Sequence, residues 1–126
     1  RLGGVDRRLK PARRDDFSAA VFATGIPFKG RPGHAKLLKE LHQVMGATAG
    51  VRRFGAATLD LAWTAAGRFD GFWERGLATW DVAAGILICQ EAGLSVAGLS
   101  EGDPLDTGDI ICTNSALMDP LRTRVD

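Results

Sequence analysis

Apolar and polar residues change their spacing several times along the chain, and each change marks an element. FSAAVFATG, residues 17–25, is small, aromatic or β-branched and stops at Gly25, which predicts a buried strand near 19–24. GIPFKGRPG, residues 25–33, is punctuated by Gly and Pro and reads as a loop. From 34 to 50 the period becomes helical. Leu37, Leu38, Leu41, Val44 and Met45 share one face, with Lys36, Lys39, Glu40 and Gln43 opposite, as in an amphipathic surface helix. VRRF, residues 51–54, reads as a short strand, and Gly55 turns the chain into the helix AATLDLAWTAAG, which ends at Gly67. RFDGFWERG, residues 68–76, alternates, with Phe69, Gly71 and Trp73 on one side and Asp70, Phe72 and Glu74 on the other, so it predicts a strand. Thr79 is placed to cap a helix running to about Ala92, with Gly93 just beyond its end. A strand near 94–97, a polar loop, the strand DIICT at 109–113 and a helix from about Ser115 complete the pattern. RRLKP, residues 7–11, could close a short strand or hairpin arm, with a first strand expected near residues 5–10.

Strand and helix alternate four times, which argues an α/β fold with partly parallel pairing. The 126 residues suffice for one domain with a real core. Glycine is 16 of 126, about twice the ~7% average, and many of these glycines sit at strand–helix junctions, where turns and close approach to a ligand both favour it.

Charge and cysteine content narrow the partners. The formal net charge is +1, so no strong electrostatic partner is implied overall. The first fourteen residues carry Arg1, Arg7, Arg8, Lys10, Arg13 and Arg14 against Asp6, but no aromatic is interleaved. A solvated face therefore fits better than a nucleic-acid patch. The longest apolar run, Val82 to Cys89, is far short of the ~18 residues of a membrane span, and the polar, basic start is not a signal peptide. Cys89 and Cys112 lie in apolar stretches and read as reduced core thiols of a cytoplasmic protein. Residue 1 is Arg and the text starts in mid-pattern, so a fragment of a longer chain is expected.

One carboxylate stands out. In ATWDVAAGILICQEAG, residues 78–93, Asp81 sits at the mouth of a run that reads as buried, and a buried carboxylate is paired or holds a metal. Three junctions could meet at one sheet edge: Gly55-Ala56-Ala57, Glu74 at a strand end, and Asp81 in a first helical turn. Each has a plainer reading. Asp81 could serve only the helix dipole, Glu74 could pair with Arg75, and Gly55 could be only a turn. Trp63, Trp73 and Trp80 read as core, and His34 and His42 have no second ligand at metal-site spacing. No P-loop or G-x-S-x-G occurs.

RRFGAATLDLAWTAAGRFDGFWERGLATWDVAAGILICQEAG, residues 52–93, resembles the C-terminal signature of the inositol monophosphatase family, with WDVAAG at 80–85 as its centre. ATGIPF at 23–28 and ICTNSAL at 111–117 also resemble family segments, and FDGFWE looks most like the bacterial branch. The resemblance implies the C-terminal part of a layered αβαβα fold, a mixed sheet flanked by helices. It implies hydrolysis of a phosphate monoester, inositol monophosphate, by water activated on Mg²⁺. It places Asp81 on a metal-binding aspartate near the substrate ring, Glu74 on a carboxylate that takes sugar-alcohol hydroxyls, and Gly55, Ala56 and Ala57 on the wall of the substrate pocket. A homodimer of the full-length protein is implied by analogy.

Two departures bear on these expectations. The family usually has Ser or Thr where Ala56 stands, with Thr58 nearby instead. That puts the substrate in question more than the chemistry, so histidinol phosphate, fructose bisphosphate and phosphonucleotides remain alternatives. The family's other metal ligands, a glutamate pair and a D-P-x-D-G-T motif, precede this region. DPLDTG at 103–108 has the wrong order and place, and reads as a turn-rich loop. The 126 residues are thus expected to be the C-terminal half of such an enzyme, inactive alone. Some bacterial members of the family associate with the transcription machinery, which keeps a non-catalytic RNA-associated binding role as the rival.

Overall fold

A computed structural model describes residues 8–27 and 30–125. Among them run β1 (Val21–Thr24), α1 (His34–Met45), β2 (Gly50–Arg52), α2 (Ala57–Ala65), β3 (Gly71–Glu74), α3 (Thr79–Glu91), β4 (Ser95–Gly98), α4 (Pro104–Thr107), β5 (Ile110–Thr113) and α5 (Ser115–Val125). The strands form one sheet in the order β2-β1-β3-β5-β4. β1 pairs in parallel with β2 and β3, while β5 runs antiparallel to β3 and β4, so the sheet is mixed as expected.

Alternation along the strands sends side chains into two cores. Ala23, Phe72 and Cys112 leave one face and pack with Leu61 of α2 and Val82 and Ile86 of α3. Phe22, Trp73 and Ile111 leave the other and pack with Val44 of α1 and Leu117 and Leu121 of α5. Helices therefore cover both faces, α2 and α3 on one and α1 and α5 on the other. Gly85 brings α2 and α3 together, since a Cβ there would meet Leu61 Cδ1 at 2.6 Å.

Asp70 ties the sheet's start, and the sequence pattern did not flag it. Its carboxylate accepts from the Val21 N–H at 2.8 Å and from Arg14 Nε at 3.3 Å, and its carbonyl accepts from Thr113 Oγ1 at 2.6 Å. A buried acid with these partners is satisfied.

Several expectations need correction. Leu38 and Met45 are exposed, at 66% and 58%, whereas Glu40 of the expected polar face is buried. The inward stripe of α1 is Leu37, Glu40 and Val44, because Glu40 has partners beneath it. Trp73 is core, Trp63 is half-buried, and Trp80 is 84% exposed, so the three tryptophans do not share a role. Phe69 packs with Phe72 rather than Trp73, since the strand begins only at Gly71. Residues 8–11 form no strand, and residues 5–7 lie outside the described residues. DPLDTG is not a plain loop: Asp103 caps the one-turn helix α4 through its bond from the Leu105 N–H at 2.9 Å. Thr79 does not cap α3. Its hydroxyl donates to the Leu105 carbonyl at 2.9 Å, and the capping position is Ala78. Cys89 and Cys112 are free and buried, as expected. No helix among the described residues is long and apolar enough to cross a membrane.

Candidate functional site

The three junctions meet. β1 and β3 are parallel, so their carboxyl ends, Thr24-Gly25 and Glu74, open side by side, and the chain leaving β2 arrives beside them through Arg53 and Gly55. A cavity of about 1000 Å³ lies there, lined by Gly55, Ala56, Ala57, Glu74 and Asp81 together. This is the crevice at strand ends where open α/β sheets gather ligands. Gly55 has φ +82°, so it makes the turn that brings the start of α2 to the wall.

Glu74 leaves β3 on the α2–α3 side. Its carboxylate occupies the space over Gly25, where any Cβ would fall on it. Gly25 therefore sets where Glu74 rests, through the absence of a side chain. Burial, with help from the carboxylates of Asp60 and Asp81, pushes Glu74 up to about 7, against the pull of Arg53. The expected alternative of a pair with Arg75 does not form. Arg75 points the other way and binds Glu40 Oε2 at 2.8 Å and the Val125 carbonyl, while Trp73 Nε1 donates to Glu40 Oε1 at 3.4 Å.

Asp81 is half-buried in the first turn of α3. Among the described residues its carboxylate makes no hydrogen bond or ion pair, so it is not consumed as a cap. Its carbonyl accepts from Thr58 Oγ1 at 2.8 Å, which fixes the start of α3 to the start of α2. The hydroxyl missing at Ala56 is thus present two residues on, but spent on backbone.

Asp60 was missed. It is fully buried in α2, and neither of its carboxylate oxygens has a hydrogen-bond partner among the described residues. Burial pushes it up to about 6, with Arg53 opposing. A charged residue in an apolar helix pattern, at a position spaced to face the sheet with Thr64, was the available signal.

This α/β crevice of carboxylates and free helix N-termini has relatives. A model of the family described as "Inositol monophosphatase family" matches residues 3–125. The chain belongs to the inositol monophosphatase family. An "Inositol-1-monophosphatase" of Caulobacter vibrioides is 59% identical over 100 residues, covering 79% of this chain and 39% of the relative. A "Nus factor SuhB" of Pseudomonas aeruginosa is 41% identical over 122 residues, covering 94% of this chain and 45% of the relative. The solved structure of extragenic suppressor protein suhB from Bartonella henselae superposes with a TM-score of 0.89 at 44% identity, covering 96% of this chain and 46% of that one. The chain spans less than half the length of these inositol monophosphatase family relatives, and its mixed sheet with flanking helices is part of the family fold.

Proposed function

We propose that this chain carries the substrate-binding wall and one metal-binding carboxylate of a Mg²⁺-dependent hydrolase of inositol monophosphate, as the C-terminal half of the domain. The observation that supports this most is the convergence of Glu74 and Asp81 on one cavity that Gly55 also lines. Mg²⁺ takes carboxylate oxygens and holds its waters tightly. Asp81 offers one such oxygen free of other partners, which fits a ligand. No group of three metal-ligating side chains occurs among the described residues, so the fit is partial. When bound, the metal supplies a water of lowered pKa and neutralises phosphate oxygens.

The chain's own residues then bind and orient. Glu74, seated over Gly25, faces the cavity with a carboxyl that is partly protonated near neutral pH, and so can both donate to and accept from ring hydroxyls. Ala56 and Ala57 leave room for the ring, and Thr58 holds the start of α3 so that Asp81 keeps its place. The 126 residues alone do not turn over phosphate esters, because one carboxylate does not organise Mg²⁺. Family membership points to a phosphate monoester as substrate, and a homodimer in the cytoplasm completes the reading.

The test joins this chain to the remainder of the Caulobacter vibrioides relative as one polypeptide and assays it with inositol 1-phosphate, histidinol phosphate and fructose 1,6-bisphosphate. Inositol 1-phosphate is expected to be the best substrate, and Glu74→Gln to raise its KM more than it lowers kcat. Equal use of all three, or a Glu74→Gln effect on kcat alone, contradicts the assignment. The relative named as a Nus factor supports a second reading, a transcription-associated binding role. Salt-sensitive RNA binding unchanged by Asp81→Asn, in a joined chain without phosphatase activity, would establish that reading instead.

A further inference from the structure

A carboxylate shut away from water without a hydrogen-bond partner is rare in a folded protein, because the group loses its hydration and gains nothing in return. Asp60 is such a group: it is fully buried, and neither oxygen has a partner among the described residues. The local fold does not need it as an acceptor. Thr64 Oγ1 donates to the Asp60 carbonyl at 2.7 Å, which closes this turn of α2 and leaves the side chain aside. A well-packed apolar side chain would suit the position better on stability alone.

Its place points to the cavity. Asp60 follows Ala57 by three residues and Ala56 by four, so it lies on the face of α2 that lines the cavity wall, one turn deeper. α2 packs on β1 and β3, and there Glu74 rests over Gly25. Asp60 of α2, Glu74 of β3 and Asp81 of α3 thus form a cluster of acids, and Glu74 feels the charge of both others. Arg53, exposed just beyond β2, is the cation that acts on both Asp60 and Glu74. Thr24 and Gly25, at the end of β1, bring no charge. Glu74 makes no hydrogen bond or ion pair among the described residues, so burial and these neighbouring charges set its form.

We propose that Asp60 is a positioning residue for substrate binding: its buried carboxyl keeps Glu74 partly protonated near neutral pH, so that Glu74 meets the substrate as both donor and acceptor rather than as a bare carboxylate. This rests on the reading of Glu74 as the group that takes polyol hydroxyls. Two carboxyls in one low-dielectric space do not ionise independently. Burial pushes Asp60 up to about 6, and burial with the Asp60 and Asp81 charges pushes Glu74 up to about 7. As pH rises, Asp60 takes its charge first and holds back that of Glu74. A carboxyl that still carries its proton gives a polyol one donor and one acceptor, whereas an ionised one only accepts. Asp60 acts on the substrate through Glu74 and does not touch it.

Asp60→Asn tests this in the chain joined to the remainder of the Caulobacter vibrioides relative, first without metal or substrate. The Glu74 carboxyl signal, followed by carbon-detected NMR, should titrate in two steps in the parent, one from Asp60 and one its own. In Asp60→Asn it should titrate in one step, shifted down by roughly half a unit or more. Thr64→Val loosens the same turn of α2 without touching a charge and should leave the Glu74 titration in place. In the Mg²⁺-dependent assay with inositol 1-phosphate, Asp60→Asn should move the pH at which KM changes by the same amount and should alter kcat less than KM. A parent signal that titrates in one step, a signal unmoved in Asp60→Asn, or an equal shift in Thr64→Val overturns the proposal, and none of these needs turnover of inositol 1-phosphate. A KM profile unmoved by Asp60→Asn in an active joined chain overturns it as well. A joined chain that shows the NMR shift yet hydrolyses no inositol 1-phosphate overturns the proposed function, and the substrate role of Asp60 with it.

Discussion

Asp60→Asn is the sharpest probe of the site's electrostatics. The substitution keeps the volume of a fully buried side chain and removes its titration. In an unfolded chain the carboxyl titrates at 3.8, and in the fold burial moves it to about 6. Between these values the folded state holds a proton that the unfolded state has released, so the contribution is fully present below 3.8 and is lost as pH rises through about 6. Over that window the loss amounts to about 3 kcal/mol. Asparagine has no such dependence. Its amide is also buried without a partner, at a constant cost of ~1–3 kcal/mol. The variant should therefore be no more stable than the parent near pH 4, and the difference should move in its favour by about 2–3 kcal/mol between about pH 4 and pH 8. Glu74, pushed up to about 7, has the same sign in both proteins. Losing the Asp60 charge lets Glu74 titrate lower, which adds to the variant's gain. Urea unfolding followed by far-UV circular dichroism at several pH values reads this directly. Parallel pH profiles for parent and variant would refute the reasoning, because they would show that Asp60 titrates alike in both states.

Other substitutions separate the parts of the site. Gly25→Ala places a Cβ on the Glu74 carboxylate, so it should destabilise the fold by about 1–3 kcal/mol and shift the Glu74 titration seen by carbon-detected NMR; an unmoved Glu74 signal would show that the seat over Gly25 is not occupied. Glu40→Gln breaks the charge pair with Arg75 and should cost about 1–3 kcal/mol in chemical unfolding, discounted because Arg75 is a quarter exposed. Thr58→Val removes the bond to the Asp81 carbonyl and should cost about 1 kcal/mol, with faster amide exchange in the first turn of α3; unchanged exchange there would leave Asp81 positioned by other means.

The pattern of apolar residues carried most of the elements, though not the strand order, because its periods are local. Strand alternation at Gly71–Glu74 and the helical period over 79–91 each follow from neighbours in sequence. What it missed depends on pairs far apart. Glu40 faces inward only because Trp73 and Arg75, more than thirty residues on, supply partners for it. Thr79 looks like a cap until α4 offers the Leu105 carbonyl. A second apolar face of α3, which holds the exposed Trp80, was visible as a continuous apolar run, but the same run suits full burial, and only the sheet's position shows which half is bare. Along the cavity, Glu74, Asp81 and Gly55 were legible as strand–helix junctions that could meet at one sheet edge. Gly25 and Asp60 were not, since one acts by lacking a side chain and the other by lacking a partner.

On the proposed function, Asp81 holds part of a metal site for phosphate ester hydrolysis, completed by the rest of the family domain. The direct measurement is Mg²⁺-dependent phosphate release from inositol 1-phosphate by the isolated chain, the joined chain and the joined chain with Asp81→Asn. Release is expected from the joined chain only, lowered by on the order of 100-fold or more in Asp81→Asn. Release by the isolated 126 residues, or full activity of the joined Asp81→Asn variant, would contradict it.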